Sequence, residues 1–378
     1  MNPKQNSRML WIDNIRLLMI VLVVLVHANC TYSGFGSWYY RDSAGMGFVQ
    51  SIIMGIFGSF TQAYFMGFLF FIAGIFVPET YDKKGFRPFM RDRVIRLGVP
   101  ALLFMLLIHP FTGAFLLGNY YAIPLPMKWI GTYYLSGNFI GSTGPLWFAV
   151  ALLVFTIIYA VLRRAGLVFR IALPSTLRHR HIIGFIVLVS AVSFLVRIVQ
   201  PIGTSVLNMQ LCYFTQYVVL FTLGIFARRA GWLESLDRRL AMRWLLSALV
   251  FGPIVWGCLM LFGGPADGAL WVINGSGTWQ SAVFAVWESF FCAGVCLGLT
   301  VLFRDGFDAQ NRIVKLLSSN AFGVYVLHTP VLVAVSLYAA GLPSLPIVKA
   351  ICVGAAAVGC SFAVAALVRM IPGIRRVL

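Results

Sequence analysis

The sequence predicts an all-α, polytopic membrane protein with about ten transmembrane helices, and three observations carry that prediction. Only 11% of its 378 residues are charged while 60% are hydrophobic, far less charge than a soluble domain needs to cover its surface. Apolar runs of about 20 residues, the length that crosses a bilayer as a helix, recur from end to end. The formal net charge of +18 lies between those runs rather than along one polar face. It therefore reads as membrane topology and not as a nucleic-acid surface.

The spans fall near residues 10–29, 52–77, 97–117, 144–162, 182–200, 211–227, 244–262, 279–303, 319–340 and 347–369. The first follows Lys4 and Arg8 as a signal peptide would, but no small-residue cleavage site comes after it, so it is expected to be retained. The second is the least regular: residues 46–77 are one apolar stretch interrupted by glycines, with room for a short re-entrant or interfacial piece before the true span. Connections are short, so 1–378 reads as a single integral-membrane domain. The seven cysteines contain no CxxC and lie mostly inside apolar runs. Cys292 and Cys296 share a helix face as small hydrophobes, and no metal site or disulfide framework is expected.

The connections alternate sharply in charge. One set carries Lys4 and Arg8, then Lys83, Lys84, Arg87, Arg91, Arg93 and Arg96, then Arg163, Arg164, Arg170, Arg178 and Arg180. It continues through Arg228, Arg229, Arg238, Arg239 and Arg243 to Arg304, Arg312, Lys315, Arg375 and Arg376. The other set carries little beyond Arg41 and Lys128. The positive-inside rule then puts both termini in the cytoplasm and requires an even number of spans.

Ionisable groups inside a bilayer cost roughly 2.5–3.5 kcal/mol each on insertion scales, so each needs a reason. The candidates are Arg16, His27, His109, Arg197, Glu288 and His328. Arg197, near an outer helix end, is expected to snorkel, and His109, before Pro110, to be a satisfied packing histidine. Glu288 needs a partner: Arg16, a histidine or a proton. His328 near Pro330 reads equally as a packing group or a site residue. Outer-side aromatics (Trp38, Tyr39, Tyr40, Tyr120, Tyr121, Trp271 and Trp279) suit an interfacial belt, or sugar stacking.

Arg16 and His27 differ in kind. They are eleven residues apart, which returns to within about 20° of the same helix face and separates them by roughly 16 Å along the axis. Asp13, one turn earlier, can hold the Arg16 guanidinium. A cation at the cytoplasmic end suits an arriving phosphate, and an imidazole at the outer end suits a general base acting on a hydroxyl. Snorkelling in opposite directions accounts for the same pair equally well.

Several stretches together resemble the membrane-bound acyltransferase-3 family. Its hallmark is Arg, ten residues, then His in the first helix, matched by Arg16 and His27. "WIDNIR" at 11–16 resembles the family's D-x-x-R opening, and "FFIAGIF" at 70–76 its FF-x-x-SG-[FY], with Ala73 where the family has serine. "FMRDRVIRLGVP" places Arg93 and Arg96 on the family's R-x-x-R; "GPLWFAVALL" at 144–153 and "GVYVLHTPVLV" at 323–333, with His328, also look like family segments.

The resemblance implies an acyltransferase moving groups other than aminoacyl groups, in a bacterial cytoplasmic (inner) membrane. It would take an acetyl or succinyl group from cytoplasmic acyl-CoA, a co-substrate rather than a bound cofactor, to a hydroxyl of an extracytoplasmic glycan. "GPLWF" tilts the resemblance toward the glucan-modifying succinyltransferases. His27 would be the general base. Arg16, Arg93 and Arg96 would bind the donor, and Asp13, Glu288 and His328 would support them. The expected partners are acyl-CoA, a glycan and membrane lipid, with no nucleic acid. The rival reading is a secondary transporter or exporter of a glycan or lipid-linked sugar. It would call for paired broken helices in pseudo-symmetric halves, and no internal repeat is visible.

Overall fold

The computed structural model describes residues 9–119, 126–167, 174, 176–265 and 268–378. Lys4, Arg8, Tyr120, Tyr121 and Arg170 lie outside the described residues. The fold is 78% helix, and among the described residues it contains no strand. Ten helical segments there are long and apolar enough to span a membrane, as the apolar runs predict.

Twelve helices form the frame: α1 Leu10–Ser33, α2 Phe48–Gln62, α3 Phe65–Lys84, α4 Phe86–Leu116, α5 Pro126–Leu135, α6 Trp147–Arg164, α7 His179–Val199, α8 Phe214–Arg229, α9 Arg238–Phe262, α10 Trp279–Gly306, α11 Arg312–Tyr338 and α12 Pro346–Val368. Helix α1 packs against α2, α3, α10, α11 and α12. Its N-terminus is tied down by the connection between α10 and α11. The Trp11 amide donates to Asp308, the Asn14 side-chain amide donates to the carbonyls of Phe307 and Ala309, and Gln310 donates to the Asn14 side-chain oxygen.

The helices run further toward the basic end than their apolar runs do. α4, α9 and α11 begin at Phe86, Arg238 and Arg312, not near 97, 244 and 319. Arginine and lysine are good helix formers whose stems cover apolar surface while the charges stay wet. Two of these starts are capped by side chains: Asp237 accepts from the amides of Arg239 and Leu240, and Asn311 from that of Val314. The irregular second span is two helices, α2 and α3, broken at Ala63–Tyr64. Helix α2 sits beside the far half of α1, where the Asn29 side-chain amide donates to the Met54 carbonyl.

Two local devices shape the bundle. Helices α3 and α8 cross so closely that a Cβ on Gly224 would lie 2.1 Å from the Phe71 carbonyl oxygen, and one on Gly74 2.3 Å from that of Phe221. Such backbone approach is open only to glycine. Helix α4 carries two wide turns, Val94–Gly98 and Phe104–Ile108. Pro110 has no N–H for the carbonyls four and five residues before it, Leu106 and Met105. Within a bilayer those acceptors need a protein donor, and α5 supplies it: the Tyr134 hydroxyl donates to Leu106 and the Tyr133 hydroxyl to Met105, the latter at 2.6 Å.

Arg197 does not snorkel. It is wholly buried and its Nη2 donates to Glu288 at 2.5 Å, with Tyr213 and Phe284 rings beside the guanidinium. The partner of Glu288 is thus Arg197, neither Arg16 nor a histidine.

Glu288→Ala strands the buried guanidinium and is expected to cost about 3–5 kcal/mol, whereas Arg197→Met with Glu288→Leu recovers most of that. Thermal unfolding in detergent compares the two, and an unchanged midpoint for the single variant contradicts the pairing. Tyr133→Phe and Tyr134→Phe each orphan one carbonyl and are expected to cost about 1–3 kcal/mol by the same measurement.

Candidate active site

The far end of α1 gathers residues from five parts of the chain. His27 is partly exposed and His328 on α11 has no exposed surface. His27 Nδ1 and His328 Nε2 lie 3.1 Å apart, and His328 Nδ1 lies 2.8 Å from the carbonyl oxygen of Tyr325 on its own helix. Pro330, inside α11, has no amide hydrogen, and its ring crowds the carbonyl of Val326, loosening the turn that holds His328. The Tyr325 hydroxyl donates at 2.6 Å to the carbonyl of Pro145, in the turn that opens α6. That turn needs glycine at 144: its φ is +49°, and a Cβ there would lie 2.5 Å from the Phe104 ring and 2.9 Å from the Tyr39 hydroxyl.

The connection after α1 folds back over this cluster. Gly34 ends the helix in a left-handed conformation. The Asp42 amide donates to the Thr31 carbonyl at 2.8 Å, and Lys349 at the start of α12 pairs with the Asp42 carboxylate at 2.8 Å. The fold-back lays Trp38 on His27, with ring centres 4.0 Å apart and planes inclined by 19°. Next to it, the Tyr39 hydroxyl and His109 Nδ1 are hydrogen-bonded at 2.6 Å. Burial pushes the Tyr39 phenol above its ordinary range, which keeps it protonated. His109 in turn stacks on Tyr133.

The opposite, basic end holds a cavity of about 700 Å³ lined by Arg87, Pro88, Arg91, Asp92, Ile95, Arg96 and Arg375. Several neighbouring cations are already paired: Lys84 with Asp92, Arg163 and Arg229 with Asp82, Arg228 and Lys83 with Glu79. Asp92, paired with Lys84, is the one carboxylate in the lining among the four guanidiniums of Arg87, Arg91, Arg96 and Arg375.

The predicted site residues divide accordingly. His27 and His328 come together. Arg96 lines the basic cavity, but Arg93 does not; its guanidinium stacks on Phe89, 5.0 Å from the ring centre. In a regular α-helix residues three apart share a face, but the wide turn beginning at Val94 resets the helical phase between these two. Arg16 pairs with Asp13 at 3.3 Å, as the spacing predicts, and lies over the Phe76 ring. Glu288 is engaged by Arg197.

Sequence reasoning left Trp38 and Tyr39 between an interfacial belt and sugar stacking, with nothing to point them at the histidines, and took Arg87, Arg91 and Arg375 as topology charges. The i,i+4 spacing of Arg87 and Arg91 was the available signal for the cavity. Of the other outer aromatics, Tyr40 is buried against Leu116 and Val333, whereas Trp271 and Trp279 are exposed.

No curated protein and no solved structure shows significant similarity to the chain. The profile of the acyltransferase-3 family, described as an acyltransferase domain, matches residues 9–366. That match takes in α1 with Arg16 and His27, the basic segment of α4, the Gly144–Pro145 turn and the His328 helix; the chain belongs to the acyltransferase-3 family, as a multi-pass membrane acyltransferase.

Proposed function

We propose that the protein moves an acetyl or succinyl group from acyl-CoA to a hydroxyl of an extracytoplasmic glycan, with both termini in the cytoplasm and in a bacterial inner membrane. One observation carries the reading: a single spanning helix, α1, bears a partly exposed, hydrogen-bonded histidine at the end of the bundle opposite an arginine-lined cavity. The cavity takes the donor's phosphates, since guanidinium pairs phosphate bidentately. The excess of lysine and arginine at that end sets the orientation. Arg16, held by Asp13, steers the donor at the start of α1, and the pantetheine arm runs along α1 toward His27.

At the far end His27 removes the proton of the acceptor hydroxyl as its oxygen attacks the thioester carbonyl carbon. The new C–O bond forms and the C–S bond breaks. The thiolate leaves with the proton that His27 returns, giving an ester and free CoA thiol. Arg197 and Glu288 act in this scheme as the clamp between α7 and α10, away from the reacting atoms. Trp38 and Tyr39 offer ring faces to a sugar.

His27→Ala is expected to lower transfer by about 10²–10⁴-fold while leaving donor binding intact. The test uses the purified chain in nanodiscs, radiolabelled acetyl-CoA and succinyl-CoA, and a glucose oligosaccharide as acceptor; undiminished transfer removes His27 as the base. Arg91→Ala with Arg96→Ala is expected to weaken CoA binding and to flatten its salt dependence, read by calorimetry across a salt series. CoA affinity that ignores both changes moves the donor site elsewhere.

A further inference from the structure

The hydrogen-bond partners at the far end of α1 fix more than position. A carbonyl oxygen only accepts, so the 2.8 Å contact between His328 Nδ1 and the Tyr325 carbonyl requires a hydrogen on that nitrogen. In a neutral ring the hydrogen on Nδ1 leaves His328 Nε2 with a lone pair. The 3.1 Å contact between His328 Nε2 and His27 Nδ1 then requires His27 to be the donor. A neutral His27 therefore carries its hydrogen on Nδ1 and its lone pair on Nε2. The chain of inference starts at a backbone atom, which cannot change its role, and passes through one fully buried ring.

From this geometry we infer that His328 is a positioning residue that locks His27 in the Nδ1–H tautomer and presents Nε2 as the only basic nitrogen. The inference rests on the acyl-transfer reading for its catalytic meaning. Histidine bases are commonly oriented by a carboxylate or carbonyl on the second nitrogen. Here a second imidazole does it and takes its own orientation from Tyr325, whose hydroxyl is anchored on Pro145. Trp38 covers one face of His27 and resists rotation of the ring about its own axis. When His27 gains the acceptor's proton on Nε2, its Nδ1–H stays donated to His328. No proton passes to His328, and the same Nε2 proton goes on to the leaving thiolate. The arrangement also separates the two faces of the task. The reactive nitrogen needs access to substrate, and the positioning ring has none.

The chain has five histidines, few enough for ¹⁵N-histidine spectra of the full-length protein in lipid. His27→Asn identifies the His27 signals. In the unsubstituted protein His27 is expected to show a protonated Nδ1 and a bare Nε2. His328→Leu is expected to redistribute the tautomers toward Nε2–H and to lower kcat by about 10²–10⁴-fold, the penalty for a misassigned tautomer, with donor affinity held within about twofold. His328→Gln keeps an acceptor for His27 and a donor for Tyr325 and is expected to restore the tautomer and most of kcat. A His27 signal protonated on Nε2 in the unsubstituted protein overturns the proposal. So does His328→Leu with an unchanged spectrum or unchanged kcat. If the spectra behave as expected but His27→Ala transfers acyl groups normally, the acyl-transfer role of His27 fails and the tautomer lock stands.

Discussion

The far end of the protein is organised by one constraint: a polar group within a bilayer must find its partner inside the protein. Water does not serve there, so a buried donor or acceptor can tie together pieces distant in sequence. Tyr325 reaches Pro145, Tyr39 reaches His109 and His328 reaches His27, and the three contacts assemble α1, α4, α6 and α11 around one point. Apolar packing alone would let these helices slide, because lipid is as apolar as leucine. The polar contacts set the register.

Helix α1 is held in that register at both ends. Its start is strapped by the 307–311 segment through Trp11 and Asn14. Its far end is covered by a connection pinned through Asp42 and Lys349. Under the proposed function, a helix that presents a cation near one face of the membrane and a base near the other can tolerate little axial drift. The two anchors lie almost a full span apart.

Much of the architecture was legible in the sequence, because a spanning helix needs nothing but a long apolar run and the ends are marked by charge. The Arg16–His27 pair was visible by spacing and the irregularity of the second span by its glycines, although the break itself falls at Ala63–Tyr64, inside the expected 52–77 span. What stayed hidden depends on long-range contact. Nothing in the composition of α10 points Glu288 at Arg197, 91 residues away. The segment from Gly34 to Gly47 has no periodicity, so its return over His27, which lays Trp38 on the ring, could not be read. Arg93 and Arg96 diverge for a different reason: residues three apart share a face of an α-helix, and the turn between these two is wider than α.

The proline in α4 has a consequence for how the chain can vary. Met105 and Leu106 need the hydroxyls of Tyr133 and Tyr134 because residue 110 offers no amide hydrogen. Give that position an N–H, and one of the two hydroxyls becomes redundant. The effect of substituting a tyrosine on α5 therefore depends on what stands at 110, a thermodynamic coupling between sites more than twenty residues apart in sequence. A short peripheral helix that would pass for a replaceable surface feature is in this sense part of the backbone of α4.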